Sequence, residues 1–141
     1  VITNNLGVIT SLSGAAGINV IALGGQYSKK FNGFFGIVTD EALRSLRVDI
    51  AFLSSSAIEG TTAFHQDQEV VQAKRLMVKA AKRKYLLVDH DKFGRSALHF
   101  LTGLDAFDAV LTGAEVAPEH AAPLDEAGIR LVRVDNRKEK A

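Results

Sequence analysis

The stretch from Val48 to Gly94 decides the fold. It opens with Val48-Asp49-Ile50-Ala51-Phe52-Leu53, an apolar and β-branched run, followed by Ser54-Ser55-Ser56. Asp67–Lys84 contains no Gly or Pro and is rich in good helix formers. Tyr85-Leu86-Leu87-Val88 then leads into Asp89-His90-Asp91-Lys92-Phe93-Gly94. Near-continuous apolar runs, rather than strict alternation, are the pattern of parallel strands covered on both faces. Parallel neighbours need a long crossover between them, usually a helix. Strand, helix, strand therefore predicts an α/β fold.

The same pattern extends in both directions. Val1–Thr3 and Ile18–Leu23 read as strands upstream, and Ala109–Leu111 and Ile129–Val134 downstream. Asp40–Leu46 reads as a short helix with Asp40 near its N-cap. Ala121–Ala127 reads as another, with Gly128 placed to cap its C-terminus. There is no internal repeat, and Pro occurs only at 118 and 123. The expectation is a mostly parallel, open sheet with flanking helices over residues 1–135, one domain, and a charged tail over residues 136–141. Because the chain opens on Val1 rather than Met, it reads as a piece truncated at its N-terminus.

In open parallel sheets, ligands sit outside the carboxyl ends of the strands. The residues after each strand are therefore the candidate site: Thr3-Asn4-Asn5, Gly24-Gly25, Ser54-Ser55-Ser56, Asp89 to Gly94, and Thr112-Gly113. A rim of small and hydrogen-bonding residues suits a hydroxylated, anionic ligand. Gly24-Gly25 can present backbone N–H groups at close approach, and a tight turn explains the pair equally well. Lys92 offers a point charge for phosphate. Asp89 suits a sugar hydroxyl, or else caps a helix beside a surface ion pair.

One helical position stands out. At about 100° per residue from Val70, Val71, Ala73, Met77, Val78, Ala80 and Ala81 fall on one arc, the expected buried face. Arg75, Lys79, Lys82 and Arg83 fall on the opposite, solvated face. Lys74 falls inside the apolar arc. A buried, unpaired ammonium costs several kcal/mol, so Lys74 needs an anion from the protein or a ligand, unless its long stem carries the charge out to water.

Composition removes several classes. The chain has 141 residues, 47% of them hydrophobic, enough for a real core, and no Cys, so disulfides, thiolate zinc sites and thiol catalysis are excluded. Lys plus Arg number 17 against 16 for Asp plus Glu, so no strong electrostatic footprint for nucleic acid is present. No apolar run approaches the ~20 residues that span a bilayer, and no start resembles a signal peptide; the chain is read as cytoplasmic. His65, His90, His99 and His120 are scattered without ligand spacing, so no metal is expected. Ser54–Ser56 lacks the context of a nucleophile elbow. No catalytic residue and no cofactor are assigned.

In their order, Val1-Ile2-Thr3-Asn4-Asn5, Ala22-Leu23-Gly24-Gly25, Val48–Leu53, Ala73-Lys74-Arg75-Leu76-Met77 and Val88–Gly94 resemble the C-terminal effector-sensing domain of DeoR-family bacterial transcription regulators. The resemblance covers nearly the whole chain, and the Asp-x-x-Lys-Phe-Gly turn and the Lys-Arg-x-Met helix are its most specific parts. It implies a fold similar to ribose-5-phosphate isomerases. It also implies a preceding winged helix-turn-helix that binds DNA, and a first sensor strand and Ser/Thr-rich phosphate loop before Val1. Such regulators sense a phosphorylated sugar or related metabolite, usually repress carbohydrate genes and act as homo-oligomers. The candidate ligand-binding set is Thr3, Asn4, Asn5, Gly24, Gly25, Ser54, Ser55, Ser56, Lys74, Asp89 and Lys92; the strand ends supply most of it, and the resemblance carries Asp89, Lys92 and Lys74 by their motif positions. The reading is a sensor domain rather than an enzyme; the alternative is a sugar-phosphate isomerase of the same fold.

Overall fold

Asn5 marks the first switch from strand to helix. Strand β1 (Ile2–Thr3) ends just before it, and its side-chain Oδ1 accepts the backbone N–H of Val8 at 3.0 Å, capping helix α1 (Leu6–Leu12). An Asn at this position satisfies a donor that the helix itself cannot. The computed structural model describes residues 1–135, which form two compact units, Val1–Leu46 and the chain from Arg47. The tail expected at 136–141 lies outside the described residues.

In the first unit, β2 (Ile21–Ala22) pairs in parallel with β1, in register Ile2 with Ile21 and Thr3 with Ala22. Of the strand expected at Ile18–Leu23, only these two residues join a ladder. An antiparallel hairpin follows, β3 (Gln26–Ser28) and β4 (Gly33–Phe35), which the apolar-run reading did not pick out. Helix α2 (Ile37–Ser45) starts earlier than expected: Gly36 is its N-cap, at φ 93, and Asp40 lies in its first turn. Leu23, Phe35, Leu43 and Thr39 are buried in this unit.

The second unit contains β5 (Val48–Leu53), β6 (Ala57–Glu59), β7 (Thr62–His65), α3 (Gln68–Ala80), β8 (Ala81–Leu87), β9 (His99–Gly103), β10 (Ala109–Gly113), α4 (Pro118–Glu126) and β11 (Leu131–Val134). Its main sheet is parallel, four-stranded, ordered β11-β10-β8-β5. A second sheet, β6-β7-β9, is antiparallel. The α/β class and the parallel sheet stand as the sequence leads one to expect. Gly128, at φ 70, follows α4 and closes it as anticipated, its N–H donating to the Asp125 carbonyl at 3.1 Å.

Two expectations need correction. The helix ends at Ala80, not Lys84, and Lys82, Arg83 and Lys84 belong to β8. The helix propensity of Lys and Arg is a weak preference that tertiary context readily overrides. Pairing with β5, from Val48 with Ala81 to Leu53 with Leu86, outweighs that preference. Leu76, left off the predicted apolar arc, is also buried. Second, the parallel sheet is not buried throughout on both faces. Leu53, Leu86 and Val110 meet Ile58, Leu101, Leu104 and Leu124 in the core. The other face leaves Ile50, Leu87 and Val134 exposed, and Phe52 is 67% exposed. There Phe52 stacks on Tyr85 with ring centroids 5.7 Å apart.

Candidate functional site

The parallel pairing of β5, β8 and β10 puts three strand ends side by side. Ser54 follows β5, Asp89 follows β8, and Thr112-Gly113 close β10. A cleft of about 290 Å³ lies over the ends of β8, β10 and β11. Leu87, Leu111 and Val134 give it an apolar lining, and Asp89 and Gly113 border it.

Lys74 reaches this edge from α3. Its ammonium donates to the Ser54 carbonyl at 2.6 Å and to the Ser54 hydroxyl at 3.3 Å. Among the described residues it has no carboxylate partner. Burial strips water from the ammonium and lowers its pKa from 10.5 to about 8. The wheel therefore placed Lys74 correctly, half inside an apolar face, with Ala73 buried beside it. Arg75 is exposed, as the wheel leads one to expect, and also bonds to β9. Its guanidinium donates to the carbonyls of Phe100 and, at 3.1 Å, of Leu101, and lies 5.6 Å over the Phe100 ring.

The three serines divide. Ser55 is buried, and its hydroxyl donates to the carbonyls of Ala57 at 3.0 Å and Phe64 at 2.9 Å, so it holds the turn between β5 and β6. Ser54 is exposed and faces Lys74; Ser56 is half-buried.

The turn after β8 explains its own residues. Phe93 is buried and stacks on His120, ring centroids 6.4 Å apart, anchoring the turn to the core. Gly94 has φ 72, and a Cβ there would lie 2.6 Å from the His120 ring. Only glycine fits both constraints. Its N–H donates to the Ile58 carbonyl at 2.9 Å. His120, which the sequence offers without any motif, thus shapes the turn. Held this way, the turn displays Asp89, His90, Asp91 and Lys92. Lys92 pairs with Asp91 at 3.1 Å and Arg95 pairs with it at 3.2 Å. The hydrogen bond from Lys92, with the charges of Lys92 and Arg95, holds the Asp91 carboxyl below its usual range. Asp89 is exposed, and its carboxylate accepts no hydrogen bond from the described residues. It does not cap the short 3-10 helix His90–Lys92 with its side chain.

Thr112 carries the one buried side-chain oxygen without a partner among the described residues. Strand alternation puts its hydroxyl on the same side as buried Val110. No group of three or more His, Asp and Glu that could hold a metal occurs among the described residues.

In the first unit, the register of β1 and β2 brings Thr3-Asn4-Asn5 and Gly24-Gly25 to one end of the strand pair. Several of these groups are already engaged. Thr3 Oγ1 accepts the Asn5 N–H at 3.1 Å, Asn4 Nδ2 donates to the Phe34 carbonyl at 2.9 Å, and Asn5 caps α1. The Gly24 carbonyl accepts the Thr39 hydroxyl at 2.6 Å. Gly25 has φ 143, and a Cβ would lie 2.2 Å from the Thr39 oxygen. The glycine pair is thus at minimum a tight turn.

A family described as the DeoR C terminal sensor domain matches residues 1–114. The HTH-type transcriptional regulator IolR of Bacillus subtilis is 30% identical over 93% of this chain and 53% of its own length. The glycerol-3-phosphate regulon repressor of Escherichia coli is 30% identical over 81% of this chain and 46% of its own. The L-fucose operon activator of Haemophilus influenzae is 29% identical over 79% of this chain and 45% of its own. The chain spans about half the length of each of these relatives.

Proposed function

The chain belongs to the DeoR C-terminal sensor domain family, and on that premise we propose that it is the effector-sensing part of a transcription regulator of carbohydrate metabolism, binding a phosphorylated sugar or a related small anion. The observation that carries the ligand's charge is Lys74: a desolvated ammonium at a strand end, held by one carbonyl and one hydroxyl and, among the described residues, by no carboxylate. An anion supplied by a ligand completes that set. Asp89, exposed at the neighbouring strand end beside an apolar-lined cleft, is suited to a sugar hydroxyl. Lys92 adds a second cation, at present shared with Asp91. Relatives named for a glycerol-3-phosphate regulon and an L-fucose operon support small metabolites of this class. DNA contact belongs, in this reading, to a winged helix-turn-helix in the half of the regulator that this chain does not span. Both a repressor and an activator stand among the relatives.

The test is calorimetric titration of the chain with a panel of sugar phosphates, with product analysis in parallel. Binding without turnover is expected for a sensor. Turnover would instead support an isomerase, which needs a general base near the substrate carbon. Binding of neutral sugars but not their phosphates would overturn the assignment of Lys74.

A further inference from the structure

The cleft over the ends of β8, β10 and β11 measures about 290 Å³, at the lower limit of small-molecule sites. Its wall is aliphatic. Leu87 and Val134 line it and are exposed, and half-buried Leu111 stands in register with Leu87 on the strand between them. Aliphatic side chains left to water in a concavity gain when a ligand's hydrocarbon covers them. Two polar side chains share the lining, Asp89 and Thr112. Neither has a partner among the described residues, although the Thr112 hydroxyl is buried. Buried polar groups are as a rule bonded, so this one points to a partner from outside the chain. No lining residue is cationic. The charges at the rim are carboxylates: Asp89, and Glu115, whose oxygen lies 2.5 Å from where a Cβ on Gly113 would stand. The cations of the neighbouring turn are engaged elsewhere: His90 faces Glu115 at 3.9 Å, and Lys92 and Arg95 pair with Asp91.

We infer that this cleft is the specificity pocket of the sensor: it takes the end of the effector opposite the phosphate, prefers a methyl group there to a hydroxymethyl group, and refuses a second phosphate. The inference rests on reading the strand ends as the effector site. Asp89 joins the two, since it follows β8 at that edge and also lines the cleft. Neighbouring strands lie about 4.8 Å apart. With β8 between them, β10 is therefore about 10 Å from β5, where Lys74 is anchored on Ser54. A six-carbon sugar phosphate bridges that distance, and a lone phosphate does not. A ring hydroxyl donates to Asp89, and a deoxygenated terminal carbon packs on Leu87 and Val134. A hydroxyl on that carbon would give up water against an aliphatic wall. A phosphate there would meet Asp89 and Glu115, and like charges brought together repel.

The experiment is calorimetric titration of the chain with sugars that differ only at the terminal carbon. The probes are glucose 1-phosphate, its 6-deoxy analogue and glucose 1,6-bisphosphate, with the same three compounds of the galactose series and inorganic phosphate as the reference. In the series that binds, the deoxy compound should bind about tenfold more tightly than its parent, the scale on which an apolar pocket discriminates against one hydroxyl. The bisphosphate should bind about a hundredfold more weakly than the parent, from repulsion by the rim carboxylates. Leu87→Lys puts a cation into the wall at an exposed strand position. It should admit the bisphosphate at least as well as the parent and abolish the preference for the deoxy compound. Val134→Lys, from the opposite wall, should do the same. Equal affinity for the three sugars of a series, or tightest binding of the bisphosphate by the wild type, overturns the inference and leaves the anion site standing. Binding of inorganic phosphate that no sugar ester improves has the same meaning. Failure of phosphate and of every ester to bind overturns the effector reading, and the specificity pocket with it.

Discussion

Lys74 carries a charge that its surroundings do little to solvate, and two predictions follow from that. Replacing it by Met fits an unbranched apolar side chain of similar length onto a face otherwise made of Val, Ala and Leu. Exchanging a buried charge for packing is often neutral or stabilising. The expected outcome of Lys74→Met is an unfolding temperature equal to or above that of the wild type. Effector affinity should fall by about 1.5–3 kcal/mol, the scale of hydrogen bonds to charged groups. Thermal unfolding and calorimetry measure the two. A large loss of stability with unchanged affinity would make Lys74 purely structural. The second prediction concerns pH. The folded pKa, about 8, lies below the unfolded 10.5. Between those values the unfolded chain binds the extra proton, so stability rises with pH across that window, by up to about 3 kcal/mol from this group. The gain is complete above pH 10.5 and lost as pH falls through 8. Denaturant titrations of wild type and Lys74→Met should differ in slope over this range alone. Anion affinity should move the opposite way, weakening as pH rises through about 8. A third residue-scale prediction is Gly94→Ala. The left-handed φ and the His120 ring 2.6 Å from a Cβ both oppose it, so a loss of about 2 kcal/mol is expected, on the scale of strained backbone and overpacking. Chemical denaturation reads it.

At the scale of elements, α3 joins two sheets through different chemistry on different sides. Its apolar side, with Val70, Val71, Ala73, Leu76 and Ala80, is buried. Its Arg75 fork holds the carbonyls of Phe100 and Leu101 on β9, an element that sequence patterning missed altogether. Arg75→Ala should therefore cost up to about 1.5–3 kcal/mol, the range for hydrogen bonds to a charged donor. Hydrogen exchange should quicken in β9 before it quickens in β8 or β10. Equal exchange in all three would show that the guanidinium is not what ties β9 to the helix. The boundary between α3 and β8 makes the same point about range. Nothing in Val78-Lys79-Ala80-Ala81-Lys82-Arg83-Lys84 marks a stop, since local propensity runs on through it. The stop comes from β5, which pairs with residues from Ala81 onward.

For the whole molecule, charge is near balance, and the burial of one side of α3 leaves no basic helix face sized for a DNA groove among the described residues. The chain alone should show no operator-specific shift in a gel assay at physiological salt; salt-sensitive, sequence-specific binding would refute this. How much of the protein was legible beforehand follows from the range of the forces involved. Apolar runs, their spacing and the small polar residues behind them determined the α/β class, the mostly parallel sheet and the odd position of Lys74, and made the strand ends the candidate site. All of these rest on periodicity and composition, which are local in the chain. Tertiary structure alone decided where α3 yields to β8, that Ser55 serves the turn while Ser54 meets Lys74, that Arg75 holds β9, and that one sheet face stays open at Phe52. The contacts behind these reach 9 to 33 residues along the chain, and a hydrogen bond or a desolvated charge takes its value from that partner rather than from its neighbours in sequence.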